Sequence, residues 1–107
     1  KQAMGMILTG QRVDAIKAES LGLVNQVVAP EALDAAVATW CEAILKASPM
    51  AVRASKQTVL RGLDEPSLAQ ALKNQGGYPA YRDWAKSDDA REGPRAFAEK
   101  RSPKWQV

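Results

Sequence analysis

Leu33-Asp34-Ala35-Ala36-Val37-Ala38-Thr39-Trp40-Cys41-Glu42-Ala43-Ile44-Leu45 decides the fold class. Leu33, Ala36, Val37, Trp40, Cys41, Ile44 and Leu45 recur at i, i+3, i+4, i+7 and i+8, which gathers them on one side of an α-helix. Pro30 suits the first turn of that helix, and Glu31 complements its dipole. Cys41 falls on the apolar stripe, so it is expected to pack inside rather than act as a nucleophile.

Downstream of this helix the same period continues. Ser48-Pro49 reads as N-cap plus first helical residue, and Val52, Ser55, Lys56, Val59, Leu60 and Leu63 then share a face. Lys56 is the odd member: it either snorkels to the edge of that face or reaches a carboxylate or ligand. Pro66 begins a further helix with Leu68, Ala71, Leu72 and Gln75 on one side, interrupted by Gly76-Gly77 and Pro79. Tyr78, Tyr81 and Trp84 form an aromatic segment that serves either as core or as the lining of a pocket. Asp89 and Glu92 have the spacing of a capping box for a last helix, which runs to about Arg101 and stops before Pro103.

Upstream, Ala3, Met4, Ile7 and Leu8 make a short helical stripe closed by Thr9-Gly10. Asp14 can cap a helix over 15–21, with Gly22 as the left-handed residue that closes it. Gln11–Val13 reads as extended, and the β-branched run Leu23–Val28 reads as a strand. Such a strand needs a partner, in 11–13 or in a sheet outside this chain. The fold class is therefore mainly α, with one or two short β-strands.

Composition narrows the function classes. A length of 107 residues suits one domain, and 46% apolar with 25% charged residues is the balance of a soluble globular protein. There is no apolar run of membrane-spanning length and no charged-then-apolar leader. The opening Lys1-Gln2-Ala3-Met4 already lies within a helical pattern, which points to a piece of something longer. A single cysteine allows no internal disulfide and suits a reducing, cytoplasmic compartment. With no histidine, Ser-His and Cys-His catalysis and His-containing metal sites are excluded within the chain. Asp88 and Asp89 are sequence neighbours, so in a helix they point about 100° apart and form no catalytic dyad.

Charge singles out the C-terminal stretch. Residues 95–107 carry Arg95, Lys100, Arg101 and Lys104 against the single acid Glu99, so the formal net charge of +3 resides there. That excess is too small and too local for a nucleic-acid binder. If the stretch is helical, Phe97, Lys100 and Arg101 share one face, a flat ring beside two cations. Such a face suits a ligand with an aromatic ring and phosphates, or else belongs to an amphipathic helix with Phe97 inward and its bases solvated.

Several linked motifs resemble the enoyl-CoA hydratase/isomerase (crotonase) family. Ala3-Met4-Gly5-Met6-Ile7-Leu8-Thr9-Gly10, followed by Ala18-Glu19-Ser20-Leu21-Gly22-Leu23-Val24-Asn25-Gln26-Val27-Val28, is similar to its helix end and the segment after it. Ser48-Pro49 with Lys56 resembles the family's next helix. Asp89-Ala90-Arg91-Glu92-Gly93, Ala96-Phe97-Ala98-Glu99-Lys100-Arg101 and Pro103-Lys104-Trp105 resemble its C-terminal signature. The match spans nearly the whole chain in order and spacing.

The resemblance implies the C-terminal part of a longer protein. Residues 1–28 would end its α/β spiral core and 29–107 would form a helical lid and trimerisation domain. It implies an acyl-CoA substrate, no tightly bound cofactor, no metal, and a homotrimer or dimer of trimers, with neither nucleic acid nor membrane as partner. The catalytic groups, two oxyanion-hole N–H groups and in hydratases two glutamates, would lie upstream, so no catalytic residue is assigned here. Phe97 and Lys100 match the family positions that contact the adenine and phosphates of CoA bound chiefly by a neighbouring subunit. The expected reaction is hydration of 2-enoyl-CoA thioesters. Gly93-Pro94, the Ala96–Arg101 run and Tyr78-Pro79 also resemble members acting on carnitinyl- or crotonobetainyl-CoA, and isomerases, decarboxylases and dehalogenases share the same tail. The other class of function is a non-enzymatic helical module that works by assembly alone.

Overall fold

The computed structural model describes residues 1–106, and among them the chain is helical with no strand. Two compact units divide it, 1–39 and Trp40 onward, with the division falling inside one helix.

In the first unit, α1 (Gln2–Thr9) ends at Gly10, whose φ of 63° is left-handed. α2 (Ala15–Ser20) starts at Asp14, whose Oδ1 accepts the Lys17 N–H at 2.7 Å as the sequence implies. It closes in a Schellman motif: Gly22 stands at φ 71°, its N–H reaches Glu19 O at 2.9 Å, and the Leu23 N–H reaches Ala18 O at 2.9 Å. The strand expected over Leu23–Val28 does not form, nor does one at Gln11–Val13. A strand exists only by a ladder of backbone pairing, and neither segment is in one among the described residues. The Val27 N–H is met instead by the Glu19 side chain at 3.0 Å. A 3₁₀ turn at Pro30–Ala32 then leads into α3 (Leu33–Leu45).

The second unit is built around α4 (Pro49–Gly62), which packs along α6 (Pro79–Lys86) and touches α5 (Leu68–Asn74) and α7 (Asp89–Ala98). Small side chains let these helices approach: Ala54 of α4 and Ala96 of α7 are both buried. α5 starts one residue after Pro66-Ser67, because Ser67 is the cap, accepting the Gln70 N–H at 3.1 Å. Gln57 of α4 accepts the Ala80 N–H at 2.8 Å, satisfying a first-turn donor of α6 that has no partner within its own helix. Tyr78 is buried before α6, its hydroxyl donating to Glu65 at 3.0 Å and its ring 5.5 Å from the Arg61 guanidinium carbon. Its pKa is raised, by desolvation first and by Glu65 next. Tyr81 and Trp84 meet edge to face at 5.3 Å and line an open groove of about 360 Å³ with Ala51, Ala54, Thr58 and Val59.

The helical stripes are as the sequence has them, but their burial is not. Cys41, expected inside, is exposed, as are Leu33, Val37, Trp40, Ile44 and Leu45 along the same helix. Ile7 of α1 is 76% exposed and Leu63, just beyond α4, 79%. Patterning sets which face is apolar; burial needs a second surface packed over it, and these side chains stay largely exposed among the described residues.

Candidate functional site: the turn that ends α7

The face expected from Phe97, Lys100 and Arg101 is not a helix face. α7 stops at Ala98, three residues earlier than the sequence reading places it. The stop is a second Schellman motif. Lys100 adopts φ 52°, its N–H reaches Phe97 O at 3.2 Å, and the Arg101 N–H reaches Ala96 O at 3.0 Å. Glycine is the usual residue at that position, and a side chain there costs roughly 1–2 kcal/mol.

The turn is held from its far side. Arg101 folds back against α7, its Nη2 2.9 Å from Glu92 Oε2 and its Nε 2.6 Å from Glu99 Oε2. The backbone N–H of Lys104 donates to Glu92 Oε1 at 2.7 Å, and Arg95 Nε donates to Glu99 at 2.9 Å. The Arg101 guanidinium and the Lys104 amide hold the Glu92 carboxyl down at about 2. Arg95 and Arg101 lower Glu99 as well, while Glu92 and Glu99 together raise Arg101.

The chain after the turn is anchored further on. Trp105 donates from Nε1 to Lys46 O at 2.9 Å, and its ring lies against Gly93, where an added Cβ would come within 3.5 Å. The Gln106 N–H donates to Asp89 Oδ1 at 3.0 Å, and the Ser48 hydroxyl donates to Asp89 Oδ2 at 2.6 Å. Ser48 and Asp89 are both buried. Ser48 also accepts the Ala51 N–H at 3.0 Å, so one hydroxyl caps α4 and ties it to α7. Asp89 is thus no half of a capping box with Glu92: Ser87 Oγ accepts the Ala90 N–H at 3.4 Å, and both acids serve the tail.

What remains outward is Phe97, 88% exposed, and Lys100, exposed and without an ion pair among the described residues. Arg101 is withdrawn from the predicted face. Sequence reasoning missed the Glu92–Arg101 and Ser48–Asp89 pairings, since neither spacing corresponds to a local motif. A flat ring and a cation at one anchored turn can together take a planar base and a phosphate.

The profile of the enoyl-CoA hydratase/isomerase family matches residues 1–107, and the chain belongs to that family. It is 38% identical over 101 residues to an (E)-benzylidenesuccinyl-CoA hydratase of Thauera aromatica, covering 94% of this chain and 38% of that protein. It is 35% identical over 102 residues to a carnitinyl-CoA dehydratase of Citrobacter koseri, covering 94% of this chain and 39% of that protein. The crystal structure of an enoyl-CoA hydratase from Mycobacterium smegmatis superposes with a TM-score of 0.84 at 35% identity, covering 99% of this chain and 40% of that one. The chain therefore spans about two-fifths of the length of these relatives, corresponding to their C-terminal portion.

Proposed function

We propose that this chain is the lid and nucleotide grip of a longer enzyme that adds water to, or removes it from, a 2-enoyl-CoA thioester. The observation that carries the reading is the Phe97 ring, 88% exposed at a turn pinned by its neighbours, with Lys100 three residues on, exposed and in no ion pair among the described residues. A ring left in water suits stacking on adenine, and the ammonium suits a phosphate of the same nucleotide. The reaction class draws on the two relatives' names, one a hydratase and one a dehydratase of a CoA thioester. In such a reaction the thioester oxygen gains negative charge that oriented N–H groups stabilise, and carboxylates move the protons. Those groups would lie in the part of the protein outside this chain. Residues 1–28 would close its core and 29–107 form the helical lid. The exposed stripes of α1 and α3 suit faces covered by the rest of the protein or by another subunit, and the assembly we propose is a homotrimer or dimer of trimers in the cytoplasm.

The test uses the protein expressed from its complete reading frame, followed by loss of enoyl-thioester absorbance with crotonyl-CoA and with crotonobetainyl-CoA. Turnover of either is expected, and Phe97→Ala and Lys100→Ala should each raise KM about tenfold while lowering kcat less, a tenfold change being 1.4 kcal/mol. A complete protein that binds no CoA at all removes the reading.

A further inference from the structure

The turn that carries Lys100 is formed against backbone preference, and it is held by ion pairs and hydrogen bonds of its neighbours Glu92, Glu99 and Arg101. Lys100 sits at φ 52° where glycine is the ordinary occupant, and it is the only non-glycine residue at positive φ among the described residues. Strain of this kind persists where the surroundings over-determine the backbone, and it is concentrated at functional sites. Here the over-determination is visible. Glu92 accepts from both terminal nitrogens of Arg101 and from the Lys104 amide, while Arg101 also bonds Glu99. Arg101 is the residue immediately after Lys100, and its own N–H closes the left-handed turn on Ala96 O. Glu92 lies two turns back on α7, with its side chain largely covered. Fixing Arg101 to Glu92 therefore fixes the direction in which the chain leaves Lys100. It also fixes the point on the turn from which the Lys100 side chain starts, three residues after Phe97.

Resting on the proposed nucleotide grip, we infer that Glu92 and Arg101 are positioning residues that pre-form the Phe97–Lys100 clamp, so that Lys100 meets the phosphates of CoA without first ordering its own turn. Pre-organisation of this sort raises affinity by removing an ordering cost from the binding step. A lysine kept at a glycine position then follows: glycine would relax the turn but leave no cation to grip with.

The experiment is a binding cycle on the protein from its complete reading frame, with free coenzyme A titrated by calorimetry against wild type, Lys100→Ala, Glu92→Gln and the double variant. Lys100→Ala is expected to weaken CoA about tenfold and Glu92→Gln about fivefold. The double variant should be no weaker than Lys100→Ala alone, because Glu92 acts through Lys100. A Glu92→Gln loss of the same size in both backgrounds would mean a general structural role and overturn the inference while leaving the grip intact. No loss with Lys100→Ala overturns the grip itself, and this inference with it. Lys100→Gly separates strain from recognition: its Tm should rise by about 2–4 °C while CoA binding falls as far as in Lys100→Ala. Wild-type affinity in that variant sinks the grip. If Glu92→Gln does not fold, Arg101→Lys, which keeps the charge and loses the fork, must show the same non-additivity with Lys100→Ala.

Discussion

The turn after α2 and the turn after α7 have the same hydrogen-bond pattern and different occupants. In each, the left-handed residue bonds back three positions and the next residue five: Gly22 to Glu19 and Leu23 to Ala18 in one, Lys100 to Phe97 and Arg101 to Ala96 in the other. Gly22 meets the backbone requirement by itself, with nothing near the place a Cβ would occupy. Lys100 meets it only with help, from a carboxylate two turns back and a tail tied to α7 through Asp89 and Trp105. One turn is local chemistry, the other tertiary. The difference separates a turn whose task is to end a helix from one that also presents a side chain.

The largest effect expected is on the tail that supports the second turn. Asp89→Ala leaves the buried Ser48 hydroxyl and the Gln106 amide without their charged acceptor, a loss of about 2–3 kcal/mol in urea unfolding of the complete protein. Amide hydrogen exchange should show the Arg101 N–H losing protection while the Leu23 N–H keeps its own. Equal loss at both turns would break the comparison. Next comes the exchange of occupants. Gly22→Lys, placed where no ion pair holds the next residue, should cost about 1–2 kcal/mol. Lys100→Gly should return less, about 1 kcal/mol, because Glu92 and Arg101 already hold the backbone there. Equal and opposite changes would mean the ion pairs contribute nothing to the turn.

That contrast also explains which parts of the molecule were legible in the sequence. Gly10, Asp14, Gly22 and Ser48 act within a few residues of themselves, so the helix ends they set could be read directly. Lys100 sends no local signal, so the sequence carries α7 on to Arg101. The true stop depends on a carboxylate nine positions back and on a tail folding over it. Cys41 differs for another reason: the stripe over Leu33–Leu45 is real, but most of it stays exposed among the described residues. The segment Leu23–Val28 has strand composition but forms no strand among the described residues, and its Val27 N–H takes a side-chain acceptor instead. Phe97 and Lys100 were named from residue type and family resemblance; that they stand outward was not in the spacing, which placed Arg101 beside them.

The smallest effect, and the most selective, is on pH. Glu92 has an ordinary value of 4.5 and is held at about 2 in the folded chain, chiefly by the Arg101 guanidinium and then by the Lys104 amide. Its folded value is depressed, so the carboxylate's contribution is complete above pH 4.5 and is lost as pH falls from 4.5 toward 2. Glu99 shifts in the same direction, so both anchors of Arg101 weaken together on the acid side. The stability difference between wild type and Glu92→Gln, followed by urea midpoint, should be constant near neutrality and shrink across that acid window. The α2 turn has no ion pair at the residue that leaves it, since that residue is Leu23, and the Glu19 carboxylate reaches the Val27 N–H four residues further on. Exchange protection at Leu23 should therefore ride through the window where protection at Arg101 falls. A gap between wild type and Glu92→Gln that stayed open at pH 2 would mean that the glutamate acts by shape alone, and the two turns would then differ in packing rather than in charge.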